Sequence, residues 1–119
     1  MSAGVLVVDD DPGFRSVAKR LLERAGLSIA GEADTVKRAM EAVLALEPSD
    51  VLLDVSLPDG DGLTLARELT GLPWRPRVVL TSSDPDAAGS GGLDRSGAAA
   101  FIPKDELTDA ALQQAFARP

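Results

Sequence analysis

The stretch Asp50-Val51-Leu52-Leu53-Asp54-Val55-Ser56-Leu57-Pro58-Asp59-Gly60 decides the fold. Its apolar run, Val51 to Leu53, is too short for a helix and closes on a Pro-Asp-Gly turn signal. That predicts a strand buried on both faces, in the middle of a parallel sheet. Asp54 falls where this strand ends and its loop begins, and in open α/β sheets ligands bind at the carboxyl ends of the strands. Taken alone, Asp54 reads equally well as a turn residue capping the backbone that follows. A second apolar run tips the balance. Val5-Leu6-Val7-Val8 ends in Asp9-Asp10-Asp11, and adjacent parallel strands would bring these carboxylates towards Asp54. Crowded carboxylates repel and call for protons or a cation. Mg²⁺ is the natural counter-ion for an all-oxygen site.

Composition narrows the chemistry further. The 119 residues suffice for one domain with a real core, without disulfides or structural metal. There is no Cys and no His. Thiol catalysis, Ser-His triads and the usual zinc sites are therefore excluded, which leaves oxygen ligands as the metal chemistry open to the chain. A net charge of −7 offers no basic stripe for nucleic acid or an anionic membrane surface. No apolar run approaches a membrane span and the N-terminus lacks a signal-peptide pattern, so a cytoplasmic location is expected.

In chain order, Val5–Val8 is a buried strand, and Asp11 and Pro12 open a helix with Phe14, Val17, Ala18, Leu21, Leu22 and Ala25 on one face. Leu27–Gly31 alternates as an edge strand. Asp34 or Thr35 can cap a second helix, whose apolar face is Val36, Ala39, Met40, Val43 and Leu44. After the central strand, Leu63, Ala66 and Leu69 begin a third helix. Arg77–Thr81 and Ala98–Ile102 are further strands, and Leu107, Ala111, Ala115 and Phe116 mark a last helix. Strands alternating with helices predict a single-domain α/β fold, a doubly wound five-stranded parallel sheet spanning residues 1–119.

One segment resists this scheme. A crossover helix is expected between Ser82 and Gly97, yet Gly89, Gly91 and Gly92 fall inside it. Each costs a helix roughly 1 kcal/mol relative to Ala, about 3 kcal/mol together. A short, frayed or disordered fourth helix is expected over 85–97, with Leu93 as its one apolar anchor.

The predicted strand ends collect Asp9, Asp10, Asp54, Thr81 and Lys104 on one side of the sheet. Carboxylates can hold Mg²⁺, a carboxylate can act as a nucleophile towards phosphorus, and an ammonium and a hydroxyl can meet the phosphoryl oxygens. With Val7-Val8-Asp9-Asp10-Asp11, Leu53-Asp54-Val55-Ser56-Leu57-Pro58-Asp59, Gly60-Asp61-Gly62, Thr81-Ser82 and Phe101-Ile102-Pro103-Lys104 in this order, the chain resembles the receiver domain of two-component response regulators. The resemblance covers essentially all of it and implies a flavodoxin-like architecture.

It further implies that Asp54 accepts a phosphoryl group from a sensor histidine kinase or phosphotransfer protein. Asp9 and Asp10 would bind Mg²⁺ with Asp54 and the Ser56 carbonyl. Thr81 would be the switch hydroxyl, Lys104 the phosphate-binding lysine and Phe101 the aromatic switch residue. Output would pass to a protein partner, through the face of the fourth helix, fifth strand and fifth helix, or to a C-terminal effector domain that these residues do not include. Phosphorylation-linked homodimerisation stays open. No catalysis beyond the domain's own phosphorylation and dephosphorylation is expected.

Plainer roles stand beside these. Asp11 reads as a helix cap, Asp59 and Asp61 as turn residues, Trp74 as a partly buried loop anchor, and Phe101 equally as core. The family usually places Pro after the lysine, often with a cis bond. Here Asp105 follows, and a cis Lys104–Asp105 peptide would cost about 3 kcal/mol. Two other functions compete. A Mg²⁺-dependent phosphohydrolase with an aspartyl nucleophile usually carries a second Asp two positions on, where this chain has Ser56. A pseudo-receiver without phosphorylation is opposed by the intact acidic, hydroxyl and lysine set and kept alive by the glycine-rich segment.

Overall fold

The computed structural model describes residues 2–89 and 91–118. Five strands form one parallel sheet: β1 (Ser2–Val8), β2 (Ile29–Ala33), β3 (Pro48–Asp54), β6 (Arg77–Ser82) and β7 (Ala100–Pro103), in the order β2-β1-β3-β6-β7. A small antiparallel hairpin, β4 (Ser56–Leu57) with β5 (Gly60–Asp61), follows β3. The flavodoxin-like, doubly wound sheet is as expected, with β3 central and β2 at an edge.

Strand alternation divides the core between two faces. Val5, Val7, Leu52 and Val79 point to the side of α1 (Pro12–Arg24) and α5 (Asp109–Ala115), where Ala18, Leu22, Leu112 and Phe116 meet them. Leu6, Val8, Leu53 and Leu80 point to the side of α2 (Val36–Leu46) and α3 (Gly62–Thr70), against Val43, Leu65 and Leu69. Fully burying such a side chain is worth about 1.5–3 kcal/mol, so these strands are apolar on both faces by necessity.

The helix starts follow local chemistry. Asp11 caps α1 by accepting from the Gly13 N–H at 2.9 Å, as expected of it. Thr35, rather than Asp34, caps α2 from its own chain position. Asp61 caps α3 and Thr108 caps α5.

Several boundaries differ from the expected ones. β2 runs over Ile29–Ala33 instead of Leu27–Gly31, and β7 over Ala100–Pro103 instead of Ala98–Ile102. Alternation marks which residues face inward but leaves the register to the neighbouring strand: Val8 pairs with Ala33, and Ser82 with Pro103. Two residues assigned to apolar helix faces lie outside the core. Val17 is 50% exposed and Leu44 is 57% exposed, because each flanks a stripe whose centre alone reaches the sheet.

The fourth helix is short, as the glycines require. α4 covers Gly92–Ser96, has no side-chain cap, and is bounded by Gly91 and Gly97, both at φ +76°. Ser90 lies outside the described residues. Leu93 is not the one apolar anchor of the 85–97 segment, since Ala87 also packs against the core. No cis peptide occurs among the described residues, so Lys104–Asp105 is trans.

At the opposite end of the sheet from Asp54, the chain's C-terminal segment is tied down. Arg118 Nη1 pairs with Asp50 Oδ1 at 2.7 Å, and Arg118 Nη2 donates to the Ser49 carbonyl at 2.9 Å. Arg77 Nε donates to the Ala115 carbonyl at 2.9 Å. Trp74 is the expected loop anchor, half-buried and donating to the Pro48 carbonyl at 3.0 Å.

Candidate functional site: an acidic cluster at the strand ends

Asp9 follows the last residue of β1, Asp54 is the last of β3, and Lys104 follows β7. Thr81 is brought beside Asp54 by register, because the two are paired residues of β3 and β6. Parallel strands thus deliver to one edge what the sequence separates by nearly its whole length.

Carboxylate oxygens of Asp9, Asp10 and Asp54 lie within 4.8 Å of one another. Asp9 is fully buried, Asp54 is 5% exposed, and Asp10 faces solvent. Asp9 Oδ1 accepts from the Asp11 N–H at 2.9 Å, and Asp54 Oδ1 from the Ser56 N–H at 3.0 Å. The second oxygens face Lys104: its Nζ is 2.7 Å from Asp9 Oδ2, as a charge contact, and 3.2 Å from Asp54 Oδ2, as a hydrogen bond.

Three carboxylates against one ammonium leave an uncompensated negative charge. Burial, reinforced by the Asp9 charge, lifts the Asp54 carboxyl above its ordinary 3.8, despite the opposing pull of the Ser56 N–H and of Lys104. Burial would lower the Lys104 ammonium, but Asp9 and Asp54 outweigh it and raise its pKa above 10.5. The donor set is all oxygen, which suits a hard divalent cation. Thr81 Oγ1 is buried and has no hydrogen-bond partner among the described residues. An orphaned hydroxyl beside a crowded carboxylate is a place where an incoming oxyanion could be met.

The expected residues Asp9, Asp10, Asp54, Thr81 and Lys104 therefore converge. Phe101 lies in β7, paired with Leu80, and packs half-buried against the core. Ser56 opens the β4 strand beside Asp54.

Four supporting residues had no such role in the sequence reading. The Phe14 ring sits 4.2 Å, centroid to Nζ, from Lys104. Arg15 Nη1 donates to the Asp9 carbonyl at 2.6 Å, while its Nε binds Glu32, which also receives Lys19. Asp59 is more than a turn residue: its two oxygens accept from the Val36 and Lys37 N–H groups at 2.7 and 3.1 Å, holding the start of α2. Gly62 lets α3 approach β3, because a β-carbon there would collide with the Asp54 carbonyl oxygen. For Gly62, the Asp-Gly-Asp-Gly run was the available signal. Phe14 carried none, since its helix position already explained it as core.

Residues 5–117 match the response regulator receiver domain, and the chain belongs to that family. Response regulator MprA of Mycobacterium tuberculosis is 37% identical over 105 residues, which are 87% of this chain and 45% of that protein. A protein-glutamate methylesterase/protein-glutamine glutaminase of Alkalilimnicola ehrlichii is 36% identical over 107 residues, 87% of this chain but 27% of its own. The signal receiver domain of the response regulator NarL from M. tuberculosis superposes with a TM-score of 0.80 at 33% identity, covering 98% of both chains. The chain spans about half the length, or less, of the curated relatives it matches. No helix among the described residues is long and apolar enough to cross a membrane.

Proposed function

We propose that the domain is a phosphorylation-dependent switch whose phosphoacceptor is Asp54. The observation that carries this reading is the convergence on one buried carboxylate of two further carboxylates and Lys104, which reaches both Asp9 and Asp54. The donor is a phosphohistidine on a sensor kinase or phosphotransfer protein. An Asp54 oxygen forms the new P–O bond, the P–N bond breaks, and the histidine nitrogen keeps its electron pair and takes up a proton.

Asp9, Asp10, Asp54 and the Ser56 carbonyl hold Mg²⁺, which when bound supplies positive charge to the transferring phosphoryl oxygens. Lys104 offsets charge on the phosphoryl group and Thr81 Oγ1 donates to one of its oxygens. That donation satisfies a hydroxyl otherwise left orphaned. Thr81 moving towards the phosphate vacates space that Phe101 can enter, which couples the site to the α4–β7–α5 face. The output is contact with a downstream protein or an attached effector domain, in the cytoplasm. We assign the domain no other substrate.

Intact-mass measurement after incubation with acetyl phosphate and Mg²⁺ tests this. One added phosphate is expected, and none in Asp54→Asn. No modification of the wild-type protein would refute the reading, and retained modification in the variant would name a different carboxylate.

A further inference from the structure

At the amino ends of the strands, away from Asp54, lies a cleft of about 290 Å³ that none of the foregoing uses. Arg75, Arg77 and Arg118 line it, and among the described residues no acidic side chain does. In a chain of net charge −7 this concentration of guanidinium groups is out of keeping with the whole. Asp50 pairs with Arg118 and, among the described residues, with neither Arg75 nor Arg77.

Donors remain to be filled. Arg77 spends its Nε on the Ala115 carbonyl, leaving both terminal nitrogens without a partner among the described residues. Arg118 spends its terminal nitrogens on Asp50, Ser49 and Phe116, leaving Nε. Arg75 makes no side-chain hydrogen bond or ion pair among the described residues.

Arg75 has φ +46°, a left-handed conformation that glycine accepts without cost. Glu47, which closes α2 just before Pro48, has the same φ, so the conformation belongs to the turn before Pro76, closed by the Arg75 N–H on the Leu72 carbonyl.

We propose that this cleft binds a small phosphate-bearing anion, held by the Arg75 and Arg77 guanidinium groups with Arg118 at its edge. Guanidinium is the side chain best matched to phosphate, since its planar fork offers paired N–H donors to two oxygens. The volume, at the lower limit of small-ligand sites, suits inorganic phosphate or a small monoester. The site is separate from Asp54, because Asp50 and Arg77 are register partners at the opposite ends of β3 and β6.

The test uses Mg²⁺-free protein in EDTA at low ionic strength, titrated with sodium phosphate, glycerol 3-phosphate and citrate. Trp74, the chain's one tryptophan and the neighbour of Arg75, reports by fluorescence, and arginine Nε–Hε resonances report by NMR. Saturable binding is expected, with shifts concentrated at Arg75 and Arg77. Tighter binding of glycerol 3-phosphate assigns a monoester, and tighter binding of phosphate assigns the free ion. Arg75→Gly, whose backbone accepts this φ, should fold at least as stably and bind about tenfold more weakly. Arg75→Lys should fall between, and both variants should accept phosphate at Asp54 at the wild-type rate. No saturable response, or an equal response in Arg75→Gly, overturns the site. Citrate binding as tightly as phosphate overturns the ligand class.

Discussion

The Lys104 ammonium lies 4.2 Å from the centroid of the Phe14 ring, so this cation of the acidic site is held by α1 as well as by Asp9 and Asp54. A cation over an aromatic face gains about 0.5–2 kcal/mol, more as water is excluded. Lys104 is 18% exposed, which places it towards the upper part of that range.

Phe14→Leu keeps an apolar side chain while removing the ring face. The fold should survive, and the acetyl phosphate labelling rate should fall by up to about thirtyfold, as the lost positioning energy translates into rate. An unchanged rate would mean that the carboxylates alone position Lys104.

Asp54 gives the metal-free domain a pH dependence of definite sign. Its folded pKa is raised above 3.8, so between 3.8 and that higher value the folded state binds more protons than the unfolded one. Stability contributed by Asp54 therefore falls as pH rises through this window. The Glu32 carboxyl, lowered by Lys19 and then Arg15, works oppositely and is lost as pH falls. Urea denaturation of wild type against Asp54→Asn isolates the first effect: the variant should gain relative stability as pH rises from 4 to 7.

Mg²⁺ affinity should follow the same carboxyl. Binding to ionised Asp54 must expel its proton, so calorimetry should show proton release and weaker binding as the pH is lowered from 8 through the raised Asp54 pKa towards 3.8. An affinity that stays constant all the way down to pH 3.8 would remove Asp54 from the metal site.

Gly62→Ala should destabilise the domain by about 3 kcal/mol in chemical denaturation, since the β-carbon would meet the backbone at Asp54 and Val55, which cannot yield as a side chain does. A second backbone device is testable by exchange. Asp59→Ala should speed hydrogen exchange at the Val36 and Lys37 amides and leave Arg38, held by Thr35, less affected.

What the sequence disclosed was whatever depends on order along one strand. Apolar runs closed by Asp9, Asp54 and Thr81 locate strand ends, and parallel pairing does the rest. Lys104, after Pro103, was legible for the same reason. The residues that escaped notice act across elements. Phe14 supports Lys104 from a helix some ninety residues earlier, and Asp59 holds a helix to which it does not belong. Periodicity likewise overstated the apolar faces at Val17 and Leu44, because it measures the width of a stripe and not how much of it a partner covers.

The Arg118–Asp50 pair has a mechanical consequence. It ties the side chain of residue 118 to the strand that carries Asp54, four residues or about 13 Å further along. A displacement of β3 would therefore be felt at Arg118, at the far end of the sheet from Asp54.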